Sequence, residues 1–283
     1  MKHILVPTDF SEQAGYAVEL GAFLARKMKA ELTFLHVVVD GTLPTVHYTG
    51  EVALPDMQDR LFVLKLIEKA KEELAVLVKR KDLKDLKINT ELHVGDIYYG
   101  VKDIISQKKI DLVVMGTKGS SGFEEFIIGS NAERVVRHAK CPVLTIHQPM
   151  KELKIESIVY ANSLEEPEHA SSAVLKQIQK AFKAKIHLVR INTPNNFKPD
   201  HESLPILEHI AENSGFSDFD VHVYNDGSEE AGILNFADEM NADLIAMATH
   251  GRTGLAHLLT GSLAESVVNH TQRPVLTYVE KED

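Results

Sequence analysis

The sequence predicts an α/β protein built from two doubly wound domains in tandem, and three observations support this fold class. The chain has 283 residues, a length that suits two domains of ordinary size better than one. Its second half repeats its first half. Within each half, short apolar runs typical of buried strands alternate with amphipathic stretches typical of helices, which is the order of a mostly parallel sheet covered on both faces.

The internal repeat is clearest towards the end of each half. Residues 111–145 align with residues 243–277 without a gap, at an offset of 132 residues, and the two stretches begin with the same Asp-Leu pair and end with the same Pro-Val-Leu-Thr run. The front ends align at a larger offset of 154 residues, with Ile4–Phe10 lying over Ile158–Leu164. Repeats of this length indicate duplicated structural units. We therefore divide the chain into domains at 1–150 and 151–283.

The two offsets differ by 22 residues (154 − 132), so the first half carries an insertion in its middle. We expect it between Asp40 and Pro55, where glycine and proline residues indicate turns, together with a longer helix after it. The remaining elements of the first half follow the apolar periodicity. We predict strands at Ile4–Pro7, Leu32–Val39, Ile88–Val94, Leu112–Met115 and Val143–Ile146, and helices at Ser11–Lys29, Asp56–Lys79, Ile97–Gln107 and Ser130–Ala139.

Composition and charge narrow the classes of function. The formal net charge of −10, without a basic run, argues against binding to nucleic acid or to an anionic membrane. No apolar stretch approaches the length of a membrane span, and the N-terminus lacks the layout of a signal peptide, so we expect a cytoplasmic protein. Cys141 is the one cysteine, which rules out an internal disulfide, and we expect its thiol to be packed rather than reactive.

A glycine-rich stretch after the fourth predicted strand contains residues of the first half that suit phosphate binding. It contains Gly116, Lys118 and Gly119, and nine residues later Gly129-Ser130 opens a helix. Glycine allows the backbone to approach a ligand closely because it has no Cβ. A helix start presents free amides and the positive end of the helix dipole, which together bind phosphate. The stretch therefore predicts a polyphosphate site, with Lys118 as an additional cation.

The spacing Gly-x2-Gly-x9-Gly-Ser, in a domain of this size, resembles the ATP-binding signature of the universal stress protein family. Pro7-Thr8-Asp9 at the end of the first strand resembles the opening motif of that family. The resemblance covers nearly the whole chain, twice. It implies two flavodoxin/Rossmann-like domains, each with a five-stranded parallel sheet flanked by helices.

The resemblance also implies a site for ATP, or for AMP or ADP, in the first half. Pro7, Thr8 and Asp9 would lie near the nucleoside, and the backbone of Val37 or Val38 would lie beside the adenine. Met115 would also contact the nucleotide, and the phosphates would be surrounded by Gly116, Lys118, Gly119, Gly129, Ser130 and Asn131. Asp9 is the carboxylate that would meet a Mg²⁺ ion on the phosphates.

Two of these residues also fit purely structural roles. Ser130 and Glu133 have the spacing of a capping box, and Asp9 fits a cap for the first helix. Neither role explains Gly116 and Gly119. For Ser130 and Asp9, both interpretations stay open.

The second half departs from the pattern at two points. Ala248 replaces the first glycine, and Asp9 is matched by Ser163, or by Asn162 if the alignment slips by one. The rest of the motif remains. We expect a weaker or altered second site formed by His250, Gly251, Arg252, Gly261 and Ser262.

The other histidines show no spacing typical of a metal site. His36, His93 and His222 lie in strand patterns, and we expect them to be hydrogen-bonded structural groups. Val143–Ile146 and Val275–Val279 would be edge strands of isolated domains, and edges need cover. In this family the corresponding strands pair two domains, so we expect the two halves to pair within one chain as an intrachain pseudo-dimer. Dimerisation of the whole chain and binding of an unknown protein partner both stay open.

Function is the least determined property. The leading hypothesis is an adenine-nucleotide-binding stress-response protein that acts through conformation or partner binding. A slow ATPase and a nucleotide-independent scaffold are the alternatives. The sequence contains no Gly-x4-Gly-Lys-Ser/Thr loop, no dinucleotide fingerprint and no evident water-activating pair, which favours binding over catalysis.

Overall fold

The first half alternates strands and helices at the predicted places. The computed structural model describes residues 1–39, 45–46, 52–53, 57–117, 128–164, 169–250 and 260–280. The elements of the first half are β1 (His3–Pro7), α1 (Glu12–Met28), β2 (Glu31–Val38), β3 (Thr45–Val46), β4 (Val52–Ala53), α2 (Met57–Val78), a 3₁₀ turn (Lys81–Leu83), β5 (Ile88–Val94), α3 (Ile97–Lys108), β6 (Leu112–Gly116), α4 (Ser130–His138) and β7 (Val143–Ile146).

The second half repeats this order without the insertion. Its elements are β8 (Ser157–Ala161), α5 (His169–Phe182), β9 (Lys185–Asn192), α6 (Asp200–Ser214), β10 (Phe219–Asn225), α7 (Glu229–Glu239), β11 (Leu244–His250), α8 (Thr260–His270) and β12 (Val275–Glu280). The additional residues of the first half include the short antiparallel pair β3–β4 and a longer helix, since α2 has 22 residues and its counterpart α6 has 15. None of the helices in the described part of the chain is both long and apolar enough to cross a membrane.

All ten large strands form one sheet in the order β10-β9-β8-β11-β12-β7-β6-β1-β2-β5. Each half contributes five parallel strands, which confirms the predicted fold class. In the first half the chain runs outwards from β1 to β2 and β5 and then returns to β6 on the other side of β1. The strand order therefore reverses between β1 and β6, which is where doubly wound folds bind ligands.

The two halves meet at the antiparallel pair β7–β12. Thr145 lies opposite Val275, and its hydroxyl donates to the Val275 carbonyl at 3.3 Å. Thr277 lies opposite Val143, and its hydroxyl donates to the Val143 carbonyl at the same distance. These two contacts are related by the 132-residue offset, so the seam has an approximate two-fold axis. Both strands that would be edges of isolated domains are thus covered within one chain.

Apolar side chains cover both faces of this sheet. One layer lies under α1, α2, α5 and α6, and the other lies under α3, α4, α7 and α8. Leu144 and Leu276, which face each other across the seam, are both fully buried in the first layer. Because this layer contains residues of both halves, the seam is part of the core and not a separate surface contact.

Local details confirm the two sequence offsets. The Asp111 carboxylate accepts a hydrogen bond from the His3 amide at 3.0 Å, and the Asp243 carboxylate accepts one from the Ser157 amide at 3.1 Å. Asp111 and Asp243 differ by 132 positions, and His3 and Ser157 by 154. The same interaction thus ties the first strand of each half to the turn before its fourth strand.

Candidate functional site

A cavity of about 150 Å³ opens at the carboxyl ends of β1, β2 and β6. It lies at the point where the strand order of the first half reverses. Its walls are formed by Pro7, Thr8, Asp9, Ala14, Leu35, Val37, Ile97, Met115, Gly116, Thr117, Gly129, Ser130, Asn131 and Ala132.

Nine of the twelve residues expected in the first-half site line this cavity. Val38 does not: its side chain is buried, and its carbonyl accepts a hydrogen bond from the Gly95 amide at 2.9 Å. Val37, the other candidate for the position beside the adenine, is part of the wall. Lys118 and Gly119 lie outside the described residues. The structure thus brings together residues that are more than 120 positions apart in the chain, from Pro7 to Asn131.

The end of β1 is a tight turn that leads into α1. The Thr8 hydroxyl accepts a hydrogen bond from the Phe10 amide at 3.1 Å, and Phe10 has a left-handed backbone with φ of 62°. Ser11 is the N-cap of α1, since its hydroxyl accepts from the Ala14 amide at 3.3 Å. One Asp9 carboxylate oxygen accepts from the amide and the hydroxyl of Ser11. Asp9 therefore helps to cap the helix indirectly, because it holds the capping residue Ser11.

His36 fixes this turn from the neighbouring strand. Its Nδ1 atom lies 2.8 Å from the Thr8 carbonyl oxygen, and its ring stacks on that of Phe10 with 4.7 Å between centroids. These contacts explain His36 as a structural group, as its strand position predicts.

Gly116 is required by packing. A Cβ atom at this position would lie 2.9 Å from the carbonyl oxygen of Gln13 and 3.0 Å from its carbonyl carbon. Real Cβ atoms do not approach backbone this closely, so any other residue would displace the first turn of α1. From the sequence, we expect Gly116 to let the backbone approach a ligand closely. The structure supplies a reason that needs no ligand, namely contact between the end of β6 and α1.

Helix α4 begins at the cavity without a side-chain cap. Its N-cap is Gly129, which has no side chain to offer, and Ser130 is the first helical residue. The capping-box explanation of Ser130 is therefore wrong, because a capping serine would occupy the position of Gly129. The Gly129 amide donates to the Thr117 carbonyl at 2.7 Å, which anchors the helix start to the end of β6. The first amides of α4 are thus positioned at the cavity by the backbone.

Three helices begin around the cavity, and their dipoles act in the same direction. Ala14 in the first turn of α1, Ile97 at the start of α3 and Ser130 at the start of α4 all line the wall. Each helix start carries partial positive charge, which favours an anion. This convergence was not visible in the sequence, because it depends on how the strands are ordered.

Asp96, the N-cap of α3, directly precedes the wall residue Ile97. Burial opposes ionisation of Asp96, but hydrogen bonds from Arg134 and from the Tyr99 amide outweigh it and hold the pKa of its carboxyl below the ordinary value. Arg134 lies 2.8 Å from the Asp96 carboxylate and also over the Tyr98 ring, at 4.9 Å from its centroid. The Asp96 charge is therefore paired with a cation.

Five lining residues were missed by the sequence reasoning: Ala14, Leu35, Ile97, Thr117 and Ala132. Thr117 stands inside the glycine motif and was available from it. The two alanines lie in helix first turns, where a small side chain leaves backbone amides accessible. Leu35 lies in β2 and Ile97 is the first residue of α3, and their positions could have been found from the predicted strand order.

In the second half, the turn after the first strand has the same backbone as in the first. Asn162 occupies the place of Thr8: its side chain accepts from the Leu164 amide at 2.6 Å, and Leu164 has φ of 71°. The Asn162 amide donates to Val189 at 3.0 Å, as the Thr8 amide donates to Leu35 at 2.8 Å. The alignment therefore holds at an offset of 154, and Ser163 stands where the first half has Asp9.

Beyond this turn, hydrogen-bonded polar side chains occupy part of the corresponding region of the second half. The carboxylate of Glu229, the counterpart of Ile97, accepts a hydrogen bond from the side chain of Asn196. Asn196 also accepts from the Thr193 amide at 2.6 Å, and its carbonyl accepts from the Arg190 guanidinium at 3.0 Å. An apolar wall residue of the first half is thus replaced by an acidic, hydrogen-bonded one.

The predicted second-half residues are only partly described. His250 ends β11, and Gly261 and Ser262 are the second and third residues of α8, but the side chains of these residues lie outside the described part. Gly251 and Arg252 lie outside it altogether. A weaker second site stays a prediction.

His222 departs from its expected role. Its Nε2 atom is buried and has no hydrogen-bond partner within the described residues. The prediction that His222 is a satisfied structural group is therefore wrong.

Cys141 is half-buried against the second apolar layer, as its expected packed role requires. Burial, with a smaller effect of the neighbouring Asp111 charge, raises the pKa of its thiol to about 12.

Comparison with known proteins identifies the family. Residues 1–147 and 157–278 each match the universal stress protein family. A universal stress protein of Methanocaldococcus jannaschii is 33% identical over 152 residues, which cover 53% of this chain and 85% of that protein. One from Synechocystis is 24% identical over 294 residues, covering 98% and 100%. The crystal structure of a universal stress protein from Archaeoglobus fulgidus has a TM-score of 0.74 at 22% identity and covers 97% of both chains. The chain therefore belongs to the universal stress protein family, in its tandem two-domain form.

Proposed function

We propose that the first half binds ATP or another adenine nucleotide, and that the protein acts in a stress response through this binding. One observation carries the proposal. Residues expected around a nucleotide from three separate parts of the chain line a single cavity at which three helices begin. A helix start binds phosphate through its free amides and its dipole.

The walls suggest an orientation for the ligand. Leu35, Val37 and Ile97 form an apolar side that suits an adenine ring. On the other side, the uncapped start of α4 at Gly129 and Ser130 offers backbone amides to phosphate. Lys118 and Gly119 are proposed to complete the phosphate contacts, as the motif implies.

The cavity is small for a whole nucleotide. Its volume of about 150 Å³ is below the roughly 300–1,000 Å³ of typical small-molecule sites. We infer that it holds the nucleoside part and that the phosphates extend towards solvent along the start of α4. Binding of the nucleoside alone should then retain part of the affinity.

Asp9 fits a Mg²⁺ ion carried by the phosphates. Its carboxylate is exposed at the cavity wall, and Mg²⁺ in nucleotide sites commonly takes one or two protein carboxylates with phosphate oxygens and water. Ser11 holds one Asp9 oxygen and so fixes the direction of the side chain. When bound, the ion would neutralise phosphate charge beside this carboxylate.

Titration calorimetry with ATP tests the proposal. The unmodified protein is compared with Gly129→Glu, which places a carboxylate at the start of α4, and with the matched control Gly261→Glu in the second half. We expect one site that is lost in Gly129→Glu and kept in Gly261→Glu, with unchanged circular dichroism in all three proteins.

Other outcomes have definite meanings. Loss only in Gly261→Glu would move the site to the second half and contradict the proposal. Two sites, each lost with its own substitution, would show that the second half also binds. Absence of binding in the unmodified protein would leave a nucleotide-independent scaffold of the same fold.

A further inference from the structure

Three side chains with metal-binding chemistry meet on the edge of the second half. Strands β9 and β10 are parallel, and their register places His187 opposite Asp220. His222 follows Asp220 by two residues and lies opposite Val189. Since alternate residues of a strand point to the same face, His187, Asp220 and His222 share one face of the sheet.

The spacing of the three groups suits a small cation. One ligand atom of each side chain lies within 4.8 Å of the other two. Ligands of a tetrahedral zinc ion stand roughly 3.4 Å apart, given metal–ligand bonds of about 2.1 Å. The strand register already holds the three side chains on one face, so rotation about side-chain bonds is the movement that metal binding would require.

Both histidines have a buried ring nitrogen without a partner. Nδ1 of His187 and Nε2 of His222 are shielded from solvent and form no hydrogen bond with any described residue. Buried polar atoms in native proteins are nearly always hydrogen-bonded, so two unsatisfied nitrogens in neighbouring rings require an explanation. A bound cation would supply the missing partner. A hydrogen bond to the other nitrogen of either ring would still leave these two nitrogens without a partner.

The surroundings keep the imidazoles in the state that binds metal. Burial is the main cause that lowers the pKa of both histidines, and the charge of Lys185 acts in the same direction on both. Asp220 acts in the opposite direction, as do Asp218 near His187 and Glu239 near His222. The two rings are therefore neutral at neutral pH, and a neutral imidazole has the lone pair that a metal ion needs.

The site has a closed side and an open side. The His222 ring packs against Phe236 of α7 with 5.0 Å between centroids, and the two imidazole rings are 5.6 Å apart. The Asp220 side chain is 48% exposed. A cation can thus enter from solvent and keep water as a further ligand.

Lys185 competes for the carboxylate. Its ammonium group lies 2.6 Å from one Asp220 oxygen, and this hydrogen bond is the main cause that lowers the pKa of Asp220. The carboxylate is therefore ionised, but a positive charge stands beside the place that a cation would take. Removing Lys185 should strengthen metal binding.

The first half lacks this cluster at the same places. The register pairs Thr33 with Asn89, and Leu35 with Glu91, where the second half pairs His187 with Asp220 and Val189 with His222. Glu91 is engaged by Lys108 at 2.6 Å. The cluster is therefore not a consequence of the fold, since the duplicated frame exists without it.

We propose that His187, Asp220 and His222 bind a divalent transition-metal cation of the Zn²⁺ class. Two imidazoles and one carboxylate form a ligand set that suits Zn²⁺, with water in the fourth position. The site belongs to the second half and is separate from the proposed nucleotide cavity of the first.

Metal titration of the full-length, chelator-treated protein tests the proposal without nucleotide. Zn²⁺ is followed by calorimetry, and Co²⁺ by the visible absorption of its tetrahedral complexes. The variants are His187→Ala, His222→Ala and Asp220→Asn. The matched control is His201→Ala, which removes a histidine of the same half whose side chain is 81% exposed. Circular dichroism and thermal melting establish that each variant is folded.

We expect one Zn²⁺ per chain, an affinity at least tenfold lower in His187→Ala and in His222→Ala, and no change in His201→Ala. A second variant keeps the test decisive if a histidine variant fails to fold. Lys185→Met keeps the ligands and removes the competing ammonium, so Zn²⁺ should bind severalfold more tightly. The proposal is overturned if the unmodified protein binds no stoichiometric Zn²⁺, if the histidine variants bind as well as the control, or if Lys185→Met binds more weakly.

Discussion

The two halves of the chain share a frame and differ at the ends of their strands. The turn after the first strand has the same left-handed residue in both, Phe10 in one and Leu164 in the other, with φ of 62° and 71°. Beyond that turn the first half opens into a cavity with Ile97 in its wall. The second half places Glu229 at the matching position, hydrogen-bonded to Asn196.

This difference shows which parts of a duplicated domain are constrained by folding. The strands are close-packed on both faces, so a change in one side chain affects many neighbours. The loops at the carboxyl ends carry no such constraint and are where α/β domains acquire their function. Divergence at that end is what we expect if the first half binds a nucleotide, as proposed, and the second half does not.

The largest effects should be the same in both halves, because they come from the shared frame. Leu144 and Leu276 are fully buried and face each other across the seam. Leu144→Ala and Leu276→Ala should each lower the free energy of unfolding by about 2–5 kcal/mol through lost packing and a cavity. Urea denaturation measures this. A clear inequality between the two variants would show that the seam is not symmetric.

A smaller effect should differ between the halves. Gly116→Ala places a Cβ 2.9 Å from the Gln13 carbonyl oxygen, so α1 must move, and we expect a loss of about 1–3 kcal/mol. The counterpart Ala248→Gly only loosens the backbone and should cost about 0.5–1 kcal/mol. Thermal and urea unfolding of both variants provide the test. Equal losses of unfolding free energy in the two variants would mean that packing against α1 does not require glycine at position 116.

A charged substitution in the cavity wall of the first half tests the proposed ligand position. Ile97→Glu gives its cavity the residue that the second half has at Glu229. A carboxylate in the wall proposed to contact the adenine must lose its hydration when the ligand binds, so ATP should bind at least about tenfold more weakly, which corresponds to about 1.4 kcal/mol. Ile97→Gln has the same shape without the charge and serves as the control. Similar affinities of the two variants would show that the bound nucleotide does not cover residue 97.

Much of this architecture follows from the sequence, because apolar periodicity and the two repeat offsets are local properties. The strands at Ile88–Val94 and Val143–Ile146 have their predicted bounds, and the other first-half elements differ by one or two residues. The pairing of the two halves along β7 and β12 is implied by the family resemblance, and the sequence pattern itself predicts only that these edge strands need cover.

The features that the sequence did not reveal depend on contacts between distant elements. The close approach of Gly116 to Gln13 exists only after α1 packs on β6. The N-cap of α4 is Gly129, one residue before the serine that a capping box would use. Ser130 is therefore the first helical residue and not the cap. The cluster around His222 needs the register of two strands, which no spacing within one strand encodes.

The last comparison concerns Cys141, whose counterpart in the second half is Arg273. Burial raises the pKa of the Cys141 thiol to about 12, whereas an exposed cysteine titrates near about 8.5. Since the thiolate is the reactive form, native Cys141 should react with a disulfide reagent at pH 8.5 at least about a hundredfold more slowly than the urea-unfolded chain. Equal rates would show that the thiol is accessible.

The same shift makes stability depend on pH in a defined direction. Above about pH 8.5 the unfolded chain releases the Cys141 proton while the folded chain keeps it, so the free energy of unfolding falls as pH rises towards 12. Each pH unit costs at most about 1.4 kcal/mol. In Cys141→Ala this contribution is absent, so the variant should lose less stability than the unmodified protein between pH 8.5 and 10. Parallel curves for the two proteins would mean that burial does not oppose ionisation of the Cys141 thiol.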